Sequence, residues 1–122
     1  MKKRRQRVYL LVASLIGFLM APAANAGFYT GQHLKQWSDA QERANAGRGD
    51  IADGMHTGKW QGYIAGVHDS YDGIIFCTPG TARLGQISEV VRRYLIANPA
   101  KWNQAGSVLT IQALQDAFPC KR

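Results

Sequence analysis

Trp60-Gln61-Gly62-Tyr63-Ile64-Ala65-Gly66-Val67-His68-Asp69-Ser70-Tyr71 is the stretch that decides the fold. Trp60, Tyr63, Ile64, Val67 and Tyr71 recur at i, i+3, i+4, i+7 and i+11. That spacing lines one face of an α-helix and no single face of a strand. It predicts a helix from about Met55 or Thr57 to Tyr71, closed by Asp72-Gly73. Gly54, Gly58, Gly62 and Gly66 recur every four residues through the same segment. An interior glycine costs about 0.5–1 kcal/mol against alanine. The strip therefore predicts a compensating close approach of another helix along Gly62 and Gly66. Interleaved polar residues place that contact in a soluble domain, within the chain.

Outward from this helix the pattern repeats. Upstream, Thr30 is placed to cap a first helix over about Gln32 to Ala44, with Leu34, Trp37 and Gln41 on a narrow stripe. Asn45-Ala46-Gly47-Arg48-Gly49-Asp50 breaks it with turn-forming residues. Downstream, Ile74 to Thr81 is a connection containing Cys77 and Pro79-Gly80. Leu84, Ile87, Val91, Tyr94 and Leu95 then line a helix from Leu84 to Ala97, with Arg92 and Arg93 opposite. Asn98-Pro99 reads as N-cap and first residue of a fourth helix reaching about Ala117. Its apolar residues cover more than half its circumference, as expected of a central or interfacial helix. No strand pattern of comparable quality is present. The expectation is an all-α bundle of about four helices in one domain, residues 27–122.

The first 26 residues stand apart. Met1-Lys2-Lys3-Arg4-Arg5-Gln6-Arg7 is a basic cluster, Val8 to Met20 a short apolar run, and Ala24-Asn25-Ala26 a small-residue site. This is the pattern of a cleavable secretory signal, cut after Ala26. The apolar run is too short for a spanning helix of roughly 20 residues. Cleavage changes the electrostatics. The full chain has 15 basic and 8 acidic residues, net +7. Five of the basic residues and none of the acidic ones lie in the signal, so the 96 residues from Gly27 carry ten against eight, net +2. A nucleic-acid or membrane-surface role does not follow from the high pI. Only Cys77 and Cys120 are available to pair, and export to an oxidising compartment makes pairing the expectation. Closing a loop of that length is worth roughly 4 kcal/mol in chain-entropy terms.

Catalytic patterns are sparse. His33, His56 and His68 lack the spacing of a helical zinc pair, and the cysteines are not in a C-x-x-C arrangement. His68-Asp69-Ser70 holds the residue types of a hydrolytic triad. Successive helical side chains diverge by about 100°, so these three do not form one among themselves. Asp69 and Asp72 share a helix face, which a solvated helix end explains. No phosphate-binding glycine loop follows a strand. The residues describe a small exported helical domain without metal, cofactor or catalytic residues, and fit a binding protein.

Several segments taken in order carry a resemblance. Trp60-Gln61-Gly62-Tyr63-Ile64-Ala65-Gly66-Val67-His68-Asp69 is similar to a C-x-G-Y-I-x-G-V-x-D motif. Phe76-Cys77-Thr78-Pro79, Leu84-Gly85-Gln86, Tyr94-Leu95 with Asn98-Pro99, and Ala113-Leu114 with Ala117-Phe118-Pro119-Cys120 follow at matching intervals. Together, from about Gly31 to Cys120, they resemble the Rap/Tai immunity protein family, which protects bacteria against amidase effectors of type VI secretion. The resemblance implies an all-α periplasmic domain, frequent homodimers, and occlusion of the active site of a peptidoglycan amidase. Members commonly carry a Cys after the tryptophan of the first helix and another before G-Y-I. Here Ser38 and Trp60 stand there, the pattern of a missing second disulfide in a divergent member.

An inhibitor of this kind needs a stable scaffold and a projecting segment. The expected contact residues lie where the second helix meets the third: Asp69, Tyr71, Asp72 and Arg83. Tyrosine and arginine are favoured interface anchors, and an exposed aspartate suits a catalytic Cys/His site. Tyr71 is equally placed to finish the core stripe. The reading from another class is a periplasmic stress chaperone or envelope helper. Such proteins are opened by protonation of carboxylates, and eight dispersed acidic residues supply that switch poorly.

Overall fold

The computed structural model describes residues 27–121, so the signal segment 1–26 and its cleavage site lie outside the described residues. The described residues form four α-helices: α1 Gly31–Asn45, α2 Ile51–Tyr71, α3 Leu84–Ala97 and α4 Gly106–Ala117. The described residues contain no strand, and the all-α expectation holds.

α1 begins where Thr30 predicted. The Thr30 amide donates to His33 Nδ1 at 3.2 Å, a capping box with histidine in the place usually taken by Glu or Gln. α2 begins at Ile51, earlier than the sequence pattern placed it. The cause is a second capping box made by two aspartates. The Asp53 amide donates to Asp50 Oδ1 at 2.8 Å, and the Asp53 carboxylate reaches back toward the Asp50 amide. Asp53 also takes a two-point contact from Arg43, with Nη2 to Oδ1 at 2.6 Å, which ties the end of α1 to the start of α2. The intervening turn needs Gly47 at φ +69.

The core gathers Leu34 and Trp37 from α1, Trp60 and Ile64 from α2, Ile87, Val91 and Leu95 from α3, and Leu109 and Leu114 from α4. Phe76, from the α2–α3 connection, is fully buried among them. α3 has the predicted boundaries and buries Ile87, Val91 and Leu95 of the predicted face, with Tyr94 partly buried and Leu84 left exposed at the first turn.

The fourth helix departs from expectation. Pro99 starts only a single 3₁₀ turn, Pro99–Lys101, and α4 begins at Gly106. The Gly31 and Gln32 amides, which have no partner within α1, donate to Gln104 O at 3.0 Å and Trp102 O at 2.9 Å. Those two carbonyls point across the bundle and are unavailable to a continuous helix. The Trp102 indole donates to Leu95 O at 2.8 Å and fixes the segment against α3. Close approach here makes Gly31 obligatory, since a Cβ would lie 2.9 Å from Trp102 Cα.

The glycine strip is the second correction. A Cβ built on Gly54, Gly58, Gly62 or Gly66 meets nothing within 4 Å. Among the described residues no helix packs on the strip, which lies on the open face of α2 with exposed Ile51 and Met55.

Candidate functional site: the α2–α3 turn

The turn after α2 is built from its backbone upward. Tyr71 is the last helical residue, and its carbonyl accepts the amides of Ile74 at 3.1 Å and Ile75 at 3.0 Å. Gly73 adopts φ +78, open to glycine and strained for other residues. Its amide donates to Phe76 O at 2.7 Å. The reversal directs Phe76 into the core and leaves Ile74 outside at 75% exposure.

Side chains close the turn on itself. The Thr78 amide donates to Asp72 Oδ1 at 2.8 Å. That bond, ahead of the Thr78 hydroxyl and the neighbouring His68, holds the Asp72 carboxyl below its ordinary range. His68 Nε2 lies 2.9 Å from Thr78 Oγ1, and its ring packs on Phe76 at 5.9 Å between centroids. One residue earlier, the Cys77 amide donates to Phe118 O at 2.8 Å, and Cys77 is bonded to Cys120. The expected disulfide is present, and it fastens the turn to the segment following α4.

The predicted contact residues occupy different parts of this feature. Tyr71 and Asp72 flank the exposed Ile74. Tyr71 is itself exposed and stands outside the core cluster, so the core-stripe alternative for it does not hold. Asp69 lies one turn earlier, its side chain 81% exposed and 3.3 Å from His68 Nδ1. Arg83 sits across the connection as the N-cap of α3, its amide donating to Gln86 Oε1 at 2.9 Å. Among the described residues, no hydrogen bond or ion pair joins Arg83 to Asp69 or Asp72. Asp72 is therefore a clamp of the turn as well as a surface carboxylate.

Ile74 and the His68–Thr78 contact were not singled out by the sequence. Asp72-Gly73 marked the helix end, but an apolar residue after such an end commonly packs back on the helix, so nothing local pointed to an exposed Ile74. Nothing local pairs His68 with a residue ten positions on.

Asp69, His68 and Thr78 are linked in the order carboxylate, imidazole, hydroxyl, the connectivity of a nucleophile relay. The Thr78 amide, however, already donates to Asp72. The adjacent carboxylate charge opposes the oxyanion that such chemistry must develop. No group of three or more potential metal ligands occurs among the described residues. What the turn offers is an exposed Ile74 on a preorganised turn, with exposed Tyr71 and Asp72 just before it in sequence, an arrangement suited to binding.

No helix among the described residues is long and apolar enough to cross a membrane. No curated protein matches the chain. The family model for Rap1a immunity proteins matches residues 30–120, three quarters of the sequence, and the chain belongs to that family.

Proposed function

We propose that this chain is a periplasmic immunity protein that binds a peptidoglycan amidase effector of type VI secretion and occludes its active site through the α2–α3 turn. Family membership implies an effector protein as partner. The amidase, the periplasm and the occluding mode extend that membership. The observation that carries the proposed mode is Ile74, 75% exposed on a turn closed by Asp72, His68, Thr78 and the disulfide. A turn ordered before encounter loses little conformational freedom on binding. Tyr71 and Asp72 flank it, and Asp69 and Arg83 complete the proposed contact set. An interface of the usual size takes about 800 Å² from each partner, within reach of a domain this small.

The protein acts by stoichiometric binding, without turnover, after removal of residues 1–26 by signal cleavage. A homodimer belongs to the same proposal. The open α2 face, with Ile51 and Met55 exposed beside the glycine strip, supports it.

The test is titration of a purified amidase, encoded beside this gene, with the exported protein, followed as peptidoglycan hydrolysis. Inhibition complete near one equivalent is expected. Absence of binding to any amidase of the same genome refutes the reading, and hydrolysis by the protein alone refutes the non-enzymatic part.

A further inference from the structure

The bond between Cys77 and Cys120 joins two parts of the chain that lie outside every helix. Cys77 is in the α2–α3 connection, and Cys120 follows Ala117, the last residue of α4. Cys77 is exposed and Cys120 half-buried, and neither belongs to the core cluster. That core is assembled by side chains of all four helices and by Phe76. Opening the bond removes no buried apolar side chain from it.

The contacts that remain divide into two sets. Within the turn, the Asp72–Thr78 and His68–Thr78 contacts and the amides held by the Tyr71 carbonyl need no disulfide. Between the turn and the segment after α4, the Cys77 amide still donates to Phe118 O at 2.8 Å. Among the described residues that is the one hydrogen bond joining the two segments. A single amide hydrogen bond, in competition with water, holds two segments weakly.

The two sulfurs are chemically unequal. Thiol–disulfide exchange runs by attack of a thiolate on one sulfur and departure of the other. Cys77 is the more exposed end. Cys120 is followed directly by Lys121, and a cation beside a departing thiolate eases its release. Exposed disulfides are as a class the more easily reduced ones.

We propose that this bond is a redox switch on the proposed contact surface, opened by a dithiol in the folded protein. A thiolate of the dithiol attacks Cys77 Sγ, the Cys77–Cys120 bond breaks, and Cys120 leaves as a thiolate that takes a proton from water. The second thiol of the reductant, as its thiolate, then displaces Cys77 from the mixed disulfide. Two electrons and two protons pass to the protein, and the dithiol becomes a disulfide. The turn loses its covalent fastening, and the four helices keep their packing. The consequence for the effector rests on the immunity reading above: a turn that must be ordered on encounter binds more weakly.

The experiment treats the exported, isotope-labelled protein with dithiothreitol in the absence of denaturant, and follows thiol alkylation and the backbone NMR spectrum. Alkylation of both Cys77 and Cys120 is expected. The amide signals of residues 74–78, Phe118 and Cys120 should move or broaden, while those of Leu34, Ile64, Val91 and Leu109 stay in place. Re-oxidation should restore the first spectrum. A bond that yields only after denaturant is added, loss of all dispersed signals on reduction, or unmoved turn signals overturns the proposal. Inhibition of the amidase is then measured with the oxidised protein, the reduced protein and the double variant Cys77→Ser/Cys120→Ser. The reduced protein and the variant should inhibit about tenfold less tightly, the cost of ordering one or two side chains with their backbone on binding. The variant should not respond to dithiothreitol. Equal inhibition by the oxidised and reduced forms overturns the effect on the contact surface. Failure of the oxidised form to inhibit refutes the immunity reading instead, and the spectra still decide the switch.

Discussion

The backbone amide of Thr78 donates to the carboxylate of Asp72 at 2.8 Å, across the exposed Ile74. One aspartate thus fixes the shape of the surface that it flanks. Removing the acceptor in Asp72→Ala should speed hydrogen exchange at Thr78 selectively, with the core amides of α3 unaffected. The Asp72 carboxyl is held below its ordinary value, so the contact is present above pH 3.8 and is lost as pH falls through the lowered folded value. Exchange at Thr78 in the wild type should rise over the same range. A Thr78 amide that exchanges equally fast in both proteins at neutral pH would mean that the clamp does not order the turn.

Asp72 serves two roles, so its reversal does not isolate the proposed interface. Ile74 does. Ile74→Asp changes a side chain that the fold leaves outside, and stability should stay within about 0.5 kcal/mol of wild type, as for surface positions generally. Affinity for the amidase should fall by about 2 kcal/mol or more, the loss expected of an anchor. Asp69→Lys, also exposed, should act mainly on the association rate and its salt dependence. Unchanged affinity in both variants places the contact surface elsewhere.

The glycine strip yields a reversed expectation. With nothing within 4 Å of the added atom, Gly58→Ala and Gly62→Ala should each stabilise by about 0.5–1 kcal/mol through helix propensity. Gly66→Leu should cause no overpacking in the monomer. Thermal melts at low concentration read this term. A destabilisation that grows with protein concentration would show instead that a second copy covers the face.

Glu89 is held at about 2 by hydrogen bonds from Arg92 and then Arg93. A depressed carboxyl contributes stability that is complete above its ordinary value near 4.5 and is lost as pH falls toward 2. Its side chain is 35% exposed, so solvent screening keeps the contribution to about 1 kcal/mol or less. Glu89→Gln should flatten the acid limb of the stability curve between these values. An identical acid limb in the variant would show that other carboxylates carry it.

Cys120→Ser should lower stability by up to roughly 4 kcal/mol on chain-entropy grounds and loosen the turn through Cys77. Denaturant unfolding with and without reductant measures the first effect. Loss of amidase inhibition in a folded Cys120→Ser protein measures the second.

Legibility in the sequence followed the range of the forces involved. α3 was readable to the residue because Ile87, Val91 and Leu95 repeat at helical spacing and a proline follows at 99. The start of α2 was not, because its capping box uses Asp53 rather than Glu or Gln, and Gly54 reads locally as a breaker. The start of α4 was hidden in a different way. Asn98-Pro99 is a sound local helix start, but the carbonyls of Trp102 and Gln104 are taken by amides some seventy residues earlier. The glycines were misread because spacing reveals that a face is smooth and says nothing of whether a neighbour lies on it. At the turn, residue type singled out Tyr71 and Asp72, which the structure leaves exposed close to Ile74. Ile74 became visible only once the left-handed Gly73 was in place.

The Cys77–Cys120 bond also has a temporal meaning. It joins the turn to residues that leave the ribosome only after all four helices have been synthesised, 43 positions on. While its thiols are reduced, as in the cytoplasm, the turn lacks one of its fastenings. Oxidation outside the cytoplasm supplies it. In the proposed setting the inhibitor thus reaches its working shape in the compartment where the amidase attacks, and an unexported copy would be a weaker competitor for it.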